Sequence, residues 1–178
     1  MRFQIRQLTR ADEPFLWEML YQALYVPEGG EPFQREILSE AQIARYVAGW
    51  GRAYDLGFAA VEENTERPIG AAWIRLFNSD DPGYGYVDGD TPELSVAVIP
   101  EHRNRGVGSE LLCYLIDEAS KQHRAVSLSV SVDNPAKRLY QRLGFEIVER
   151  NKTSLTMLKR LAAEDASKLD IRSPTTSH

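Results

Sequence analysis

Two hydrophobic rhythms run along the chain. Phe3-Gln4-Ile5-Arg6 alternates apolar and polar residues, the period of a half-buried strand. The rhythm then lengthens. With Thr9 as N-cap and Asp12 and Glu13 in the first turn, Phe15, Leu16, Met19, Leu20 and Leu24 trace one face of a helix, with Trp17 at its edge. Ser39-Glu40-Ala41-Gln42 reads as a capping box that opens a second helix through Ile43, Tyr46, Val47 and Trp50. Strands are expected at 57–61 and 69–77, joined by a polar turn as a hairpin, and a third runs from Leu94 to Ile99 until Pro100 stops it. Leu111, Leu112, Leu115, Ile116 and Ala119 restore the helical period. Residues 125–132 alternate again, with Val126, Leu128, Val130 and Val132 on one face. A last helix carries Ala136, Leu139, Tyr140 and Leu143 to a terminating Gly144, and two strands close the chain at 145–148 and 153–158.

This order predicts an α/β domain: a central mixed sheet of six to seven strands with helices on both faces. Residues 1–162 form the expected domain, and 163–178 a polar C-terminal tail. Within the second strand of the hairpin, Gly70, Ala71 and Ala72 predict close packing against a neighbour. Trp73 and Arg75 share the face opposite Ala72, Ile74 and Leu76. That face either lies beneath a helix or lines a groove where Trp73 touches substrate.

Two loops interrupt the pattern. Residues 25–36 hold two prolines and a Gly-Gly pair. Residues 78–92 carry Asp80, Asp81, Asp88 and Asp90 with Tyr84 and Tyr86 and no basic residue. This second loop is either a solvated acidic segment or an anionic, aromatic lid that attracts a cationic amine.

The chemistry concentrates where the third of these strands hands over to the next helix. Arg103-Asn104-Arg105-Gly106-Val107-Gly108-Ser109 places two arginines and two glycines at a helix N-terminus, a setting for phosphate. The third glycine of a dinucleotide turn is missing, and no Gly-Lys-Ser/Thr tripeptide exists for a P-loop.

Arg103-x-x-Gly106-x-Gly108 resembles the pyrophosphate turn of the GNAT acetyltransferases. A second block, Asn134-Pro135-Ala136-x-x-Leu139-Tyr140-x-x-x-Gly144-Phe145, is similar to the segment that follows the fifth strand in that superfamily. The resemblance covers about residues 3 to 160 and is close over 93–145. It implies a single GNAT-type domain whose mostly antiparallel sheet splays between the fourth and fifth strands, with acetyl-CoA as co-substrate. The arm of acetyl-CoA is expected along the backbone of Val96, Ala97 and Val98, and its pyrophosphate on backbone N–H groups from Asn104 to Ser109. Tyr140 is expected as general acid to the leaving thiolate. Glu93, ten residues before Arg103, is expected to face the acceptor groove as general base, with a strand-end carboxylate as the alternative. The Val98 N–H is a candidate oxyanion donor. In the commonest form of the second motif, Asn stands three residues before Ala; here Asp133 holds that place, and Asn134 is the expected pantetheine contact. Tyr25, Glu28, Glu31 and Phe33 fall in the variable wall of the acceptor groove, where they are substrate contacts or ordinary loop.

The implied activity is acetyl transfer to a primary amine, expected to be a small cationic one. The alternatives are a protein lysine or N-terminal acetyltransferase and a non-catalytic acetyl-CoA sensor. An alkylammonium of pKa about 10.4 is only about 0.1 % neutral at pH 7, which is why a base is sought. Among 178 residues, 43 % are hydrophobic and the net charge is −5, which favours neither nucleic acid nor an anionic membrane as partner. The single cysteine, Cys113, excludes an internal disulfide, fits a reducing compartment and is expected to pack on its helix. Three dispersed histidines suggest no metal site. With no apolar run of spanning length and no signal-peptide core, the expectation is a cytoplasmic protein, possible as a homodimer.

Overall fold

The computed structural model describes residues 2–162; the expected tail at 163–178 lies outside them. Seven strands and four helices follow in the order β1 (Phe3–Gln7), α1 (Glu13–Ala23), α2 (Ala41–Ala44), β2 (Leu56–Glu62), β3 (Pro68–Arg75), β4 (Glu93–Val98), α3 (Val107–Ala119), β5 (Ala125–Ser131), α4 (Lys137–Arg142), β6 (Glu146–Arg150) and β7 (Ser154–Arg160). One sheet takes them all, in the order β1-β2-β3-β4-β5-β7-β6. Every neighbouring pair is antiparallel except β4 and β5. The crossover through α3 makes that pair parallel.

This parallel pair is held only at its root. Glu93 opposes Ser127, and the Ser127 N–H donates to the Pro92 carbonyl at 3.0 Å. Beyond that point the two strands part. The Ile99 N–H bonds the Ile69 carbonyl at 2.9 Å, on the β3 side of the chain. Because successive backbone groups alternate sides along a strand, the N–H and C=O of Ala97 also face β3, while those of Val96 and Val98 face the gap.

The helices cover the sheet as the periodicity predicts. Leu111, Leu112, Leu115 and Ala119 of α3 are buried. The run of small residues in β3 has the expected cause: a β-carbon on Gly70 would lie 3.2 Å from Leu111 Cδ1. Cys113, expected to pack, is exposed on the other side of α3. Thr9 forms the reciprocal cap with Asp12, although one 3₁₀ turn at Arg10–Asp12 precedes α1.

The second predicted helix is much shorter than its pattern. Gln42 Nε2 bonds Glu40 Oε2 at 2.7 Å instead of reaching back to Ser39, so the capping box does not form. Ser39 ends a 3₁₀ turn, and α2 is a single turn continued as irregular turns to the left-handed Gly49 and Gly51. Ile43, Tyr46, Val47 and Trp50 are nevertheless all buried. Successive turns preserve the facing that the sequence specifies.

Beneath this segment lie Trp73 and Arg75. Trp73 is 1 % exposed, and its indole N–H donates to the Tyr46 carbonyl at 3.0 Å. It belongs to the core and touches no open groove, which corrects its place among the substrate candidates. Arg75 is fully buried. Its Nε and Nη2 donate to the two Asp55 carboxylate oxygens at 3.0 and 2.8 Å, and Nη1 donates to the carbonyls of Arg45 and Ala48 at 2.9 and 2.8 Å. Asp55 Oδ2 also accepts the N–H groups of Gly51 and Arg52 at 3.0 and 2.9 Å. A buried ion pair with its lone pairs and protons this fully matched is tolerable; half of one is not.

Asp55→Ala is therefore expected to destabilise the fold by about 3–5 kcal/mol, because it leaves the guanidinium buried and unpaired. Urea unfolding followed by tryptophan fluorescence measures this, and a loss below about 1 kcal/mol contradicts the account.

Candidate active site

Where β4 and β5 part, a cavity of about 920 Å³ opens. Its walls are the gap-facing end of β4, the turn into α3 with the start of that helix, α4 with the turn before it, and the last turn of α1 with the chain that leaves it. No aspartate or glutamate lines it among the described residues, whereas Arg103, Arg138, Arg142 and His102 do. The protein as a whole is acidic, but this cavity is basic.

At the turn, Asn104 has φ 58° and Gly106 φ 82°, so the chain enters α3 through left-handed backbone. Gly106 is the N-cap and carries no side-chain hydrogen bond, which leaves the first N–H groups of α3 directed at the cavity end. Gly106 is glycine for its backbone angle. Gly108 has no such reason: a β-carbon there would meet only Val98 Cγ2, at 3.7 Å, an ordinary contact. Nothing among the described residues requires a glycine in the first turn of this helix. Val107 is turned into the core, while Gly108, Ser109 and Asn104 line the cavity.

Across the cavity, Asn134 Oδ1 accepts the Ala136 N–H at 2.9 Å and sets the turn that leads into α4. That bond uses one lone pair of the oxygen, and the amide nitrogen carries two donors. Tyr140 lines the same cavity, with its ring edge-on to Phe145 at 6.0 Å between centroids. Burial pushes its phenol up to about 12. It is therefore protonated at neutral pH, and it is a weaker acid than a thiol of pKa about 8.5. A strap closes the near side: the Tyr25 hydroxyl donates to the Asp133 carbonyl at 3.0 Å, and the Tyr21 hydroxyl to the Phe33 carbonyl at 2.7 Å.

The structure separates the two expected catalytic groups. Glu93 is 3 % exposed and does not line the cavity. Its Oε1 accepts the Tyr46 hydroxyl at 2.6 Å and the Gly85 N–H at 2.9 Å, and the Tyr46 oxygen in turn accepts the Tyr84 N–H at 2.7 Å. Among the described residues its Oε2 has no partner, nor does the buried Oγ of Ser127 opposite it in the ladder. The segment 83–85 seals it in: a β-carbon on Gly83 would fall 2.0 Å from Oε2, and one on Gly85 2.6 Å from the Leu128 carbonyl carbon. Arg45 fastens the same loop through Asp81, at 3.0 Å, and the Pro82 carbonyl. Burial lifts Glu93 to about 7, despite the hydrogen bonds that pull it down. That value would suit a base, but the group does not face an acceptor groove, as its spacing had suggested.

Of the expected acceptor contacts, Tyr25 and Phe33 line the cavity. Glu28 and Glu31 are exposed and stand outside it, as does Tyr84 at 59 % exposure. Tyr86 packs against the core. The acidic loop thus covers the root of β4 and is no lid on the cavity. In the sequence pattern Tyr46 is only an apolar position of the second predicted helix, and Gln22 carries no signal at all. Their polar contacts, with Glu93 and with Arg103, join segments 47 and 81 residues apart and have no signature in local spacing.

The profile of the acetyltransferase (GNAT) family matches residues 10–145. The chain is 43 % identical over 167 residues to the uncharacterized N-acetyltransferase MJ1207 of Methanocaldococcus jannaschii, spanning 89 % of this chain and 67 % of that one. In fold it is similar to yncA of Salmonella typhimurium, solved with its cofactor acetyl-CoA (TM-score 0.62, 24 % identity, 93 % and 99 % of the two chains). It is likewise similar to the ribosomal-protein-S18-alanine N-acetyltransferase of Escherichia coli (TM-score 0.63, 22 % identity, 92 % and 98 %).

The burial of Glu93 has a consequence for stability. Its carboxyl titrates near 4.3 when unfolded and near 7 when folded, so between those values the native state holds a proton that the unfolded chain has released. Stability contributed by the protonated form is present at pH 4 and is lost as pH rises through 7. Glu93→Gln is expected to match wild type at pH 4 and to exceed it at pH 8, by up to about 3 kcal/mol. Denaturant titrations at both pH values test this; a difference that does not change with pH rejects it.

Proposed function

The chain belongs to the GNAT acetyltransferase family and is an acetyl-CoA-dependent acyltransferase, and from that premise we propose that it acetylates a small primary amine in the cavity between β4 and β5. The observation that carries the reading is a basic cavity, with no carboxylate among the described residues that line it, bounded by the gap-facing edge of β4, a helix N-terminus and a phenol. The pantetheine arm pairs with the gap-facing backbone of Val96 and Val98, as a neighbouring strand would. Ala97 contributes its side chain to the wall while its backbone stays with β3. The pyrophosphate lies on the α3 N-terminus from Asn104 to Ser109, where Gly108 leaves room for it, with Arg103 and Arg105 supplying charge. The Asn134 amide nitrogen contacts the arm.

In this reading the neutral amine attacks the thioester carbonyl and forms the C–N bond while the Val98 N–H holds the oxyanion; as the C–S bond breaks, Tyr140 protonates the departing thiolate, and the proton released by the acylated nitrogen returns to the Tyr140 phenolate. Glu93, sealed behind residues 83–85, is not assigned the base. The acceptor enters as the neutral amine, so turnover rises with pH towards the amine's own pKa. The strap through Tyr25 and Phe33 narrows the acceptor side and supports a small amine over an extended peptide. The acidic loop lies elsewhere and does not contribute to that choice.

Thiol release from acetyl-CoA, measured against polyamines, amino acids and short peptides, tests the reading; turnover with peptides alone would overturn the small-amine assignment. Tyr140→Phe is expected to lower kcat at least tenfold, about 1.4 kcal/mol, while calorimetry finds CoA affinity within a few-fold of wild type. Unchanged kcat removes the general acid. Gly108→Ala is expected to be as stable as wild type, or more so by up to about 1 kcal/mol, yet to bind CoA far more weakly. Normal CoA affinity in that variant would mean that the ligand does not approach this backbone.

A further inference from the structure

Arg103 does more in this structure than stand beside a phosphate site. Its Nε donates to the Val98 carbonyl at 3.0 Å, and its Nη2 reaches the side-chain oxygen of Gln22 at 3.0 Å and the Gln22 carbonyl at 3.4 Å. The guanidinium therefore bridges the mouth of the cavity, from the last residue of β4 to the last turn of α1. The Val98 carbonyl is on the gap side of β4. It is the acceptor that an amide N–H of an incoming arm needs, and a charged donor already holds it.

Resting on the placement of acetyl-CoA given above, we propose that Arg103 is a donor-specificity residue: it closes the β4 edge to any thioester arm that does not also bring a diphosphate. An uncharged arm offers the Val98 carbonyl a neutral amide donor in exchange for a cationic one, which is a poor trade in hydrogen-bond strength. A diphosphate arriving at residues 104–109 offers the guanidinium a better partner than either carbonyl. Arg103 then leaves Val98, and the edge becomes available to the arm attached to that diphosphate. The same residue thus favours the intact coenzyme at one end and disfavours its fragments at the other.

The proposal makes a prediction that a simple phosphate contact does not. Titrations of CoA and of pantetheine, which lacks the phosphates and nucleotide, are followed by protein-observed NMR on wild type, Arg103→Met and Gln22→Leu. Arg103→Met is expected to bind CoA about tenfold more weakly but pantetheine about threefold more tightly, because the Val98 carbonyl is released. Gln22→Leu loosens the tether while the arginine remains, and is expected to bind pantetheine about twofold more tightly. It carries the test if Arg103→Met fails to fold. Pantetheine affinity that is equal or lower in both variants overturns the proposal. Absence of CoA binding to wild type overturns the cofactor placement itself, and the proposal with it.

Discussion

The rest of the structure depends on the two strands that pair once and then separate. A strand in the middle of a sheet normally has both edges hydrogen-bonded, and unpaired buried backbone is costly. Here β4 keeps its β3 edge for its whole length but meets β5 only at Glu93 and Ser127. Beyond the root, the Val96 and Val98 backbone faces a gap in the centre of the domain. The fold has made an internal sheet edge, and an extended amide-bearing ligand is the natural partner for one. The helix that must follow β4 starts at the far end of that edge, and the helix after β5 starts across from it. The topology therefore brings a helix N-terminus and a phenol to the same opening.

Holding the strands together at the root carries its own constraint. Glu93 and Ser127 each keep a buried polar atom without a partner among the described residues; Gly83 presses on the Glu93 carboxylate and Gly85 on the Leu128–Ser129 backbone, with no space for a side chain. Tyr46, itself lodged over Trp73, ties that loop to the carboxylate. The Arg75–Asp55 pair fixes the segment that carries Tyr46, since Arg75 also holds the Arg45 and Ala48 carbonyls on either side of it. One chain of contacts thus runs from the hairpin, through the irregular second helix, to the place where the sheet divides.

Charge follows the same geometry and not the composition. A net charge of −5 describes the molecule at a distance, yet the cavity gathers arginines and excludes carboxylates. The aspartates of residues 78–92 are adjacent to β4 in sequence but lie over its root, away from the opening. Anion binding depends on the local field, which is screened within about 8–10 Å in salt, so the distant acidic surface does not cancel it.

The sequence by itself determined the strand and helix order, the inward faces of α1, α3 and α4, the close approach at Gly70, and the glycine turn that opens α3. These are local matters of period and of backbone freedom, and Gly106 with its left-handed φ is legible in six residues. The position of Tyr140 on an apolar helix face also predicted that it points inward, and it lines the cavity. Only the tertiary structure decided the rest. Whether Trp73 lines a groove or a core depended on which helix lay above it. Whether Glu93 met solvent depended on a loop folding back eight to ten residues away and on a tyrosine 47 residues away. Ala97 lost its expected backbone role because strand alternation, counted from its bond partners, turned it towards β3. The Gln22–Arg103 contact joins two elements whose meeting no local pattern encodes.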